Sequence, residues 1–263
     1  MLKQSSEQLA ARETKPAYSI QGSGAAFVYV SGLDGTGKLF YKQADDLARD
    51  HTVVTFPLRP HGSYTLSALV EDLIWIIEDA GLRSVTILGE SFGGQIVLAA
   101  ALARPELFER MILVNTFARF PHRARINTGV ALYSFLPYAL LKAYRTLTAR
   151  SVLFSPDVSP TDRQLFREHT RHVPFQGYLS RLAIIRDTDL RSRLHLINIP
   201  ALVVAGTEDK LLDSVAAARE LAGRLPNAKL KLLHGTGHTA LISDRVRVRE
   251  WLAEFDTVPA RSI

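Results

Sequence analysis

Short apolar runs alternate with amphipathic stretches along most of the chain, and this alternation constrains the fold more than any other feature of the sequence. The apolar runs predict buried strands at Ala25–Ser31, Thr52–Phe56, Val85–Leu88, Met111–Val114, Ala201–Ala205 and Lys229–Leu233. Helical spacing lies between them at Thr65–Ala80, Phe92–Ala103, Ser214–Leu225 and Val246–Phe255. Strands that alternate with helices form a parallel sheet that is covered on both faces. We therefore predict an α/β fold with a mostly parallel, doubly wound sheet.

The composition excludes several classes of protein. Of the 263 residues, 47% are apolar and 22% are charged, which supports a large core and excludes an intrinsically disordered chain. No apolar run reaches the ~18 to 20 residues of a membrane span, and the N-terminal residues lack the apolar segment of a secretory signal. The absence of cysteine excludes a disulfide framework, a thiolate metal site and a cysteine nucleophile. We expect a globular protein of the cytoplasm.

The alternation breaks between Val114 and Ala201, where no strand is predicted. Helical segments are predicted there instead, at Leu132–Leu147, Pro160–His172 and Phe175–Arg186. A structureless loop of this length is uncommon in a compact domain. We therefore expect residues 117–198 to form a helical lid on the functional edge of the sheet, and residues 1–116 and 199–263 to form the core.

The predicted lid also carries the surplus of positive charge. It contains thirteen Lys or Arg against five Asp or Glu, a net charge of +8, whereas the whole chain carries +6. A basic segment can attract phosphates, anionic lipid or an acidic carrier, and peripheral membrane contact through the lid is one such possibility. A solvated basic surface is the alternative, and the sequence leaves both open.

The strongest chemical signal is Gly89-Glu90-Ser91-Phe92-Gly93, which fits the pattern G-x-S-x-G. It lies directly after a predicted strand and directly before a predicted helix, the context that this motif requires. Glycines flank the serine because the turn is too tight for side chains, and the serine hydroxyl is left exposed in a strained conformation. Ser91 is therefore the candidate nucleophile.

A serine hydroxyl needs a base to take its proton, and eight histidines are available. His238 follows the last predicted strand in a flexible loop that could carry its imidazole over the serine. His234 is the rival, but it lies at the end of that strand, where a packed or capping histidine is the ordinary expectation. We predict that His238 is the base.

An acid must hold the histidine in the correct tautomer. Asp209 lies just past the fifth predicted strand, whereas Glu208 is expected to point away and Asp213 lies a helical turn further on. The order Ser91, Asp209, His238 places each residue after a strand and matches the order Ser, Asp, His of one known hydrolase arrangement.

Two backbone N–H groups should stabilise the oxyanion. Phe92, which follows the nucleophile, is expected to supply one of them. The other is assigned to Leu33, in the glycine-rich turn Ser31–Gly37 after the first predicted strand. This turn lacks the G-x-x-x-x-G-K-[ST] spacing, and Lys38 is followed by Leu39, so a phosphate-binding P-loop is rejected.

Together these motifs resemble those of the α/β-hydrolase superfamily, over about residues 17–255. The segment 56–63, F-P-L-R-P-H-G-S, is similar to the family's D-x-R-G-H-G-x-S turn, with Pro57 and Pro60 as departures. Ser31-Gly32 stands where the family usually has His-Gly. The combination G-L-D-G-T-G with G-E-S-F-G-G resembles a subgroup of serine esterases and thioesterases related to the hydrolase part of plant phytyl ester synthases.

The resemblance implies a helical lid inserted after the sixth family strand and acyl transfer to water through an acyl-enzyme. Serine at position 91 argues against haloalkane dehalogenases and epoxide hydrolases, which use Asp there. No metal or cofactor is expected, because no H-E-x-x-H or comparable cluster occurs. Without a recognisable nucleic-acid-binding motif, no nucleic-acid partner is expected either. The oligomeric state stays open.

The expected substrate is a small-molecule carboxylic ester with a medium or long acyl chain. Aromatic and leucine side chains of the predicted lid could line an apolar acyl pocket, although lid helices also need such residues for packing. These side chains are Phe117, Phe120, Tyr133, Phe135, Leu136, Tyr138, Leu140, Leu141, Tyr144, Phe154 and Phe175. A thioester on CoA or a carrier protein is the second choice, and a non-catalytic ligand-binding member of the fold is the third.

Overall fold

The computed structural model describes residues 15–121, 126–128 and 152–256. Seven strands of the described chain form one sheet, in the order β1-β3-β2-β4-β5-β6-β7. They are β1 (Ser19–Gln21), β2 (Ala25–Val30), β3 (His51–Thr55), β4 (Val85–Glu90), β5 (Phe108–Val114), β6 (Ala201–Gly206) and β7 (Ala228–Leu233). Only β1 pairs antiparallel to its neighbour in this sheet of the described residues. The prediction of a mostly parallel α/β sheet is confirmed.

Helices cover both faces of this sheet. The helices that pack on it are α1 (Tyr41–Leu47), α2 (Leu66–Asp79), α3 (Phe92–Ala103), α6 (Ser214–Arg224) and α7 (Val248–Asp256), while α4 (Pro160–Thr170) and α5 (Phe175–Asp187) lie between β5 and β6 in the chain. Short 3-10 turns lie at Pro105–Leu107, Arg191–Leu196 and Ala240–Ile242.

The strands divide their side chains between two hydrophobic cores, because successive residues of a strand point to opposite faces. In β2, Val28 and Val30 belong to the core under α2, α3 and α6. Phe27 and Tyr29 belong to the other core, under α1 and α7, where Tyr29 stacks on Phe40 at 4.5 Å between ring centroids. Burial on both faces explains why the central strands are continuous apolar runs in the sequence.

The part of the chain between β5 and β6 adds no strand to the sheet in its described residues, which include α4 and α5. The Ser159 side chain caps α4 by accepting a hydrogen bond from the Asp162 N–H at 3.1 Å. Pro160 occupies the first turn, where a backbone N–H would have no acceptor within the helix, so the missing N–H of proline costs no hydrogen bond. Asp162 in turn joins this segment to α1 through Lys42 Nζ at 2.6 Å and the Tyr41 hydroxyl at 2.7 Å. The predicted helix Leu132–Leu147 lies outside the described residues.

Two elements were not predicted from the sequence. Strand β1 has only three residues, all exposed, so it carries no apolar run. Helix α1 has seven residues, of which three are buried, and this is too short for a clear helical period. Within the described ranges, no helix combines the length and the apolar character that crossing a bilayer requires.

Candidate active site

The turn between β4 and α3 holds Ser91 in a strained conformation. Its φ and ψ angles are 53° and −120°, in the positive-φ region that side chains rarely adopt. The strained residue is fixed on both sides, since Ser91 N–H donates to the Val114 carbonyl at 2.9 Å and the Thr116 hydroxyl donates to the Ser91 carbonyl at 2.5 Å. The backbone that carries the Ser91 hydroxyl is therefore fixed by hydrogen bonds to the end of β5 and the residues after it.

The glycines around Ser91 are required by close backbone approach. A Cβ atom at Gly93 would lie 2.2 Å from the Val30 carbonyl oxygen, and one at Gly89 would lie 2.7 Å from the Gly94 Cα. Both distances are shorter than any Cβ contact can be without movement of the backbone. The motif thus allows α3 to begin directly against the sheet.

The structure brings the three predicted side chains together. His238 Nε2 lies 3.0 Å from Ser91 Oγ, and His238 Nδ1 lies 2.7 Å from Asp209 Oδ2. In the neutral imidazole, Nδ1–H donates to the carboxylate and Nε2 accepts from the serine hydroxyl. This is the geometry in which a histidine can take the serine proton as the hydroxyl attacks.

The Asp209 carboxylate is held by several donors. Its Oδ1 accepts from the Leu211 and Leu212 N–H groups at 2.9 and 3.1 Å, and the Ser214 hydroxyl donates to Oδ2. Ser214 was not predicted from the sequence, because a serine in the first turn of a helix is commonplace.

The alternative residues lie elsewhere. Glu208 is exposed, and Asp213 caps α6 by accepting from the Ala216 N–H at 3.0 Å. His234, the rival base, is exposed, whereas His238 is buried. The structure therefore separates each predicted residue from its neighbour of the same type.

The interaction between Asp209 and His238 favours the charged form of each side chain. Burial opposes ionisation of Asp209, but the charge and hydrogen bond of His238 outweigh it, so the pKa of Asp209 lies below its ordinary value. Burial likewise opposes protonation of His238, but Asp209 outweighs it and raises the pKa of His238 above 6.5. The acid thus stabilises the imidazolium that forms when Ser91 loses its proton.

Asn115, at the end of β5, connects the loops that carry this pair. Its Nδ2 donates to the Gly237 and His238 carbonyls at 3.0 and 2.8 Å, and its Oδ1 accepts from the Gly206 N–H at 2.8 Å. Its φ of 46° is in the left-handed region, which asparagine tolerates better than most residues. One buried amide therefore sets the distance between the end of β6 and the His238 loop.

The predicted oxyanion donors lie beside the nucleophile. Phe92 is the first residue of α3, so its N–H has no intrahelical acceptor and carries the positive end of the helix dipole. Leu33 lies in a turn closed by the Gly35 N–H, which donates to the Gly32 carbonyl at 3.0 Å. A Cβ on Gly32 would be 3.3 Å from the Ser91 Cβ, so this turn passes directly over the serine. Both residues predicted as oxyanion donors therefore lie next to Ser91, one in the chain and one across the turn after β2.

Glu90, just before the nucleophile, is a buried acid that the sequence did not mark out. The Tyr29 hydroxyl donates to its Oε2 at 2.7 Å. Burial raises the pKa of Glu90 to about 7, opposed by the Tyr29 hydrogen bond, with Asp34 raising it further and His238 lowering it. Its charge therefore changes near neutral pH, close to the imidazole.

Comparison with known proteins identifies the family of this fold. The model of the alpha/beta hydrolase fold family matches residues 25–244. A putative carbamate hydrolase, RutD, of Pseudomonas savastanoi pv. phaseolicola is 27% identical over 250 residues, which cover 87% of this chain and 92% of that protein. An uncharacterized hydrolase of Bacillus subtilis, YugF, is 28% identical over 247 residues, which cover 87% and 88%.

Solved structures show the same fold. The enol-lactonase of Burkholderia xenovorans LB400 superposes with a TM-score of 0.81 at 24% identity, covering 92% of this chain and 96% of that one. An esterase of Thermogutta terrifontis gives a TM-score of 0.78 at 21% identity, covering 92% and 94%. The family model covers most of the chain and includes the strands that carry Ser91, Asp209 and His238. The chain therefore belongs to the α/β-hydrolase fold family and is a hydrolase of that fold.

Proposed function

We propose that this protein is a serine hydrolase that cleaves carboxylic esters through an acyl-enzyme. The observation that carries the proposal is the chain of contacts from Asp209 through His238 to Ser91, with distances of 2.7 and 3.0 Å. A buried carboxylate, an imidazole and a strained, accessible serine at these distances are the parts that nucleophilic acyl transfer needs.

The proposed reaction has two halves. Ser91 Oγ attacks the ester carbonyl while His238 Nε2 takes the hydroxyl proton, and the oxyanion accepts hydrogen bonds from the Leu33 and Phe92 N–H groups. The tetrahedral intermediate collapses, and the leaving alcohol takes the proton from His238. A water molecule then attacks the acyl-enzyme by the same route, releasing the carboxylic acid and restoring Ser91.

A medium or long acyl chain is the proposed specificity. The likeness of the G-L-D-G-T-G and G-E-S-F-G-G segments to the hydrolase part of phytyl ester synthases supports an acyl substrate. Among the candidate lining residues, Phe117 is 4% exposed and packs edge to face on Phe120, and Phe154 packs on Phe166, so these three serve the core. The candidate acyl contacts that remain are Phe175, the first residue of α5, and the aromatic and leucine residues between positions 133 and 144, which lie outside the described residues. We propose that residues 117–198 act as the lid.

Two other carbonyl substrates follow from specific observations. The +8 charge of residues 117–198 favours a thioester on a phosphorylated carrier. Several of its arginines are already engaged, however. Arg186 pairs with Asp187 and Arg191 pairs with Asp189, each at 2.7 Å. The relatives named as putative carbamate hydrolases favour a carbamate, which presents the same kind of carbonyl to Ser91.

A fluorophosphonate probe followed by a substrate panel tests the proposal. The probe should label the protein and leave the Ser91→Ala variant unlabelled; an unlabelled parent would establish a non-catalytic member of the fold. The panel compares p-nitrophenyl esters from acetate to palmitate, acyl-CoA thioesters and a p-nitrophenyl carbamate by kcat/KM. We expect the esters to be preferred, with a maximum at medium or long chains.

Salt distinguishes the thioester from the ester. Exposed charges are screened beyond about 8 Å at physiological ionic strength, so attraction of an anionic acyl-CoA to the basic segment would weaken as NaCl rises. A neutral butyrate ester should be indifferent to the same salt. Parallel and shallow curves for both substrates are expected if the engaged arginines leave only a basic surface.

A further inference from the structure

Arg181 is a buried cation whose guanidinium contacts backbone oxygens. It lies in α5, in the segment between β5 and β6, and is 1% exposed. No carboxylate of the described residues lies within ion-pair distance of it. A buried charge is costly unless hydrogen bonds replace its hydration, so the contacts that Arg181 makes have to be numerous and well placed.

Half of these contacts fall on the turn that contains Leu33. Arg181 Nε donates to the Leu33 carbonyl at 2.9 Å, and Nη2 donates to the Asp34 carbonyl at 3.3 Å. On the other side, Nη1 donates to the Arg59 carbonyl at 3.3 Å and to the Tyr64 hydroxyl at 3.2 Å. The guanidinium therefore bridges the turn after β2 and the loop after β3.

The turn is shaped to receive this side chain. Gly35 has a φ of 64°, and a Cβ there would lie 2.7 Å from the Arg181 Cζ, so the guanidinium packs directly on the glycine backbone. The turn receives no comparable support from Ser31, whose hydroxyl is buried without a hydrogen-bond partner. The Leu58 N–H donates to the Gly35 carbonyl and the Thr36 N–H donates to the Asp34 carboxylate, each at 2.9 Å, but within the described residues the Leu33 and Asp34 carbonyls are bound by Arg181 alone.

The hydrogen bonds to the carbonyls of this turn also determine the direction of its N–H groups. The Gly32 carbonyl is engaged by the Gly35 N–H, and the next two carbonyls are engaged by Arg181. A peptide plane carries the C=O of one residue opposite the N–H of the next, so the Leu33 N–H follows the Gly32 carbonyl, which the Gly35 N–H holds. The Gly35 N–H in turn shares its plane with the Asp34 carbonyl, which Arg181 holds, so Arg181 acts on the direction of the Leu33 N–H through Gly35. Leu33 N–H itself has no backbone acceptor among the described residues.

We propose that Arg181 is a positioning residue that keeps the Leu33 N–H directed at the oxyanion, an inference that rests on the proposed serine hydrolase function. Arg181 thus contributes to transition-state stabilisation without touching the substrate. Losing an oxyanion donor outright lowers kcat by about 10²- to 10³-fold. A donor that is misdirected rather than lost should lower kcat by about 10- to 100-fold, with KM changed about twofold or less.

The first experiment compares Arg181→Met with Arg171→Met. Methionine retains most of the apolar volume of the arginine but has no donor, and Arg171 is an exposed arginine of the same segment, so its variant removes the same charge. For each variant we would measure kcat and KM on the best ester and the Ki of a matching trifluoromethyl ketone, which forms an oxyanion on the serine. The fall in kcat and the rise in Ki should run in parallel for Arg181→Met, and Arg171→Met should match the parent.

The second experiment restores the missing group. Arg181→Ala leaves a space of guanidinium size, and guanidinium chloride at millimolar concentration should recover part of kcat, whereas NaCl of equal strength should not. If the alanine variant does not fold, Arg181→Lys keeps the charge without the planar fork, and it should show the same selective loss of kcat. Thermal melting of every variant verifies that the assays are made on folded protein.

The outcomes separate this proposal from the proposed function. If the parent hydrolyses no ester and takes no fluorophosphonate, the serine hydrolase function itself fails. If the parent is active and Ser91-dependent, but folded Arg181→Met keeps kcat within twofold of Arg171→Met, Arg181 serves stability alone and the positioning role is overturned. A rise in KM with unchanged kcat would overturn it as well.

Discussion

The two turns that meet over the candidate site are supported in opposite ways. The turn at Ser91 is held by the sheet and its own helix, through the Val114 carbonyl and through glycines that pack against backbone. In the turn at Leu33, the carbonyls of Leu33 and Asp34 are held by one side chain, Arg181, which comes from 148 residues further along the chain.

This difference determines which part of the site can be recognised from the sequence. The Ser91 turn needs glycines at fixed positions because backbone from another strand and from its own helix packs against it, so it leaves a pattern of glycines in five consecutive residues. The constraint on the Leu33 turn is distant, and nothing near Arg181 in the sequence indicates its partner. The predictions below test whether the Ser91 turn depends on its own glycines and on the sheet, as this comparison implies.

The largest effect is expected at the nucleophile and the base. Ser91→Ala and His238→Ala should each lower kcat by about 10⁴- to 10⁶-fold, and the double variant should lose little more, because the two side chains act as a unit. Steady-state kinetics on the best ester gives these values. His234→Ala is the matched control and should keep most of the activity; if it is the inactive one, the base has been misassigned.

Next in size is the acid. Asp209→Asn should lower kcat by about 10⁴-fold, since the imidazole loses the carboxylate that holds it in the correct tautomer and balances the charge of the imidazolium. In the parent, the raised pKa of His238 means that activity falls as the pH decreases through a value above 6.5, where the imidazole becomes protonated. Without the carboxylate, burial lowers the pKa of His238 against the smaller opposing effect of Glu90, so this limb of the pH–kcat profile should move to lower pH in the variant. An unmoved limb would show that Asp209 is not the group that raises the pKa.

A methyl group tests the backbone packing under Ser91. Gly93→Ala places its Cβ 2.2 Å from the Val30 carbonyl oxygen, so it should destabilise the fold by about 3 kcal/mol or more. Gly223→Ala is the control, because a Cβ there meets nothing within 4 Å and the position is helical. It should stabilise the protein by up to about 1 kcal/mol. Urea unfolding measures both; equal stability of the two variants would break the comparison between the turns.

The smallest effect concerns the buried acid beside Ser91. Because the pKa of Glu90 is about 7 in the folded protein against an ordinary 4.5, folding favours its protonated form. Its contribution is fully present below pH 4.5 and is lost as the pH rises towards 7, at about 1.4 kcal/mol per pKa unit. Glu90→Gln keeps an acceptor for the Tyr29 hydroxyl and should remove this decline. The free energy of unfolding, measured from pH 5 to 8, should therefore vary less in the variant; identical profiles would contradict the assignment.

The sheet could be predicted from the sequence because its central strands are buried on both faces and so appear as apolar runs such as Val85–Leu88. Strand β1 could not, since it is exposed and forms only by pairing with β3. The order of Ser91, Asp209 and His238, each after the end of a strand, placed the candidate site at one edge of the sheet.

The supporting residues could not be predicted in the same way. Asn115 and Ser214 are ordinary polar residues at element ends, and their roles come from three-dimensional contacts alone. Arg181 was counted with the other basic residues of its segment, although it is buried and engaged. Charge can be counted from a sequence, but the burial of one arginine among thirteen basic residues depends on what packs around it.

Asn115 also restricts how such a protein can diversify. Its single amide spans the ends of β5 and β6 and the loop after β7, with three hydrogen bonds of 2.8 to 3.0 Å. A deletion or insertion in any of these loops would move one partner out of reach, so none of the three can change length independently. Variation in loop length is therefore expected where this amide makes no contact.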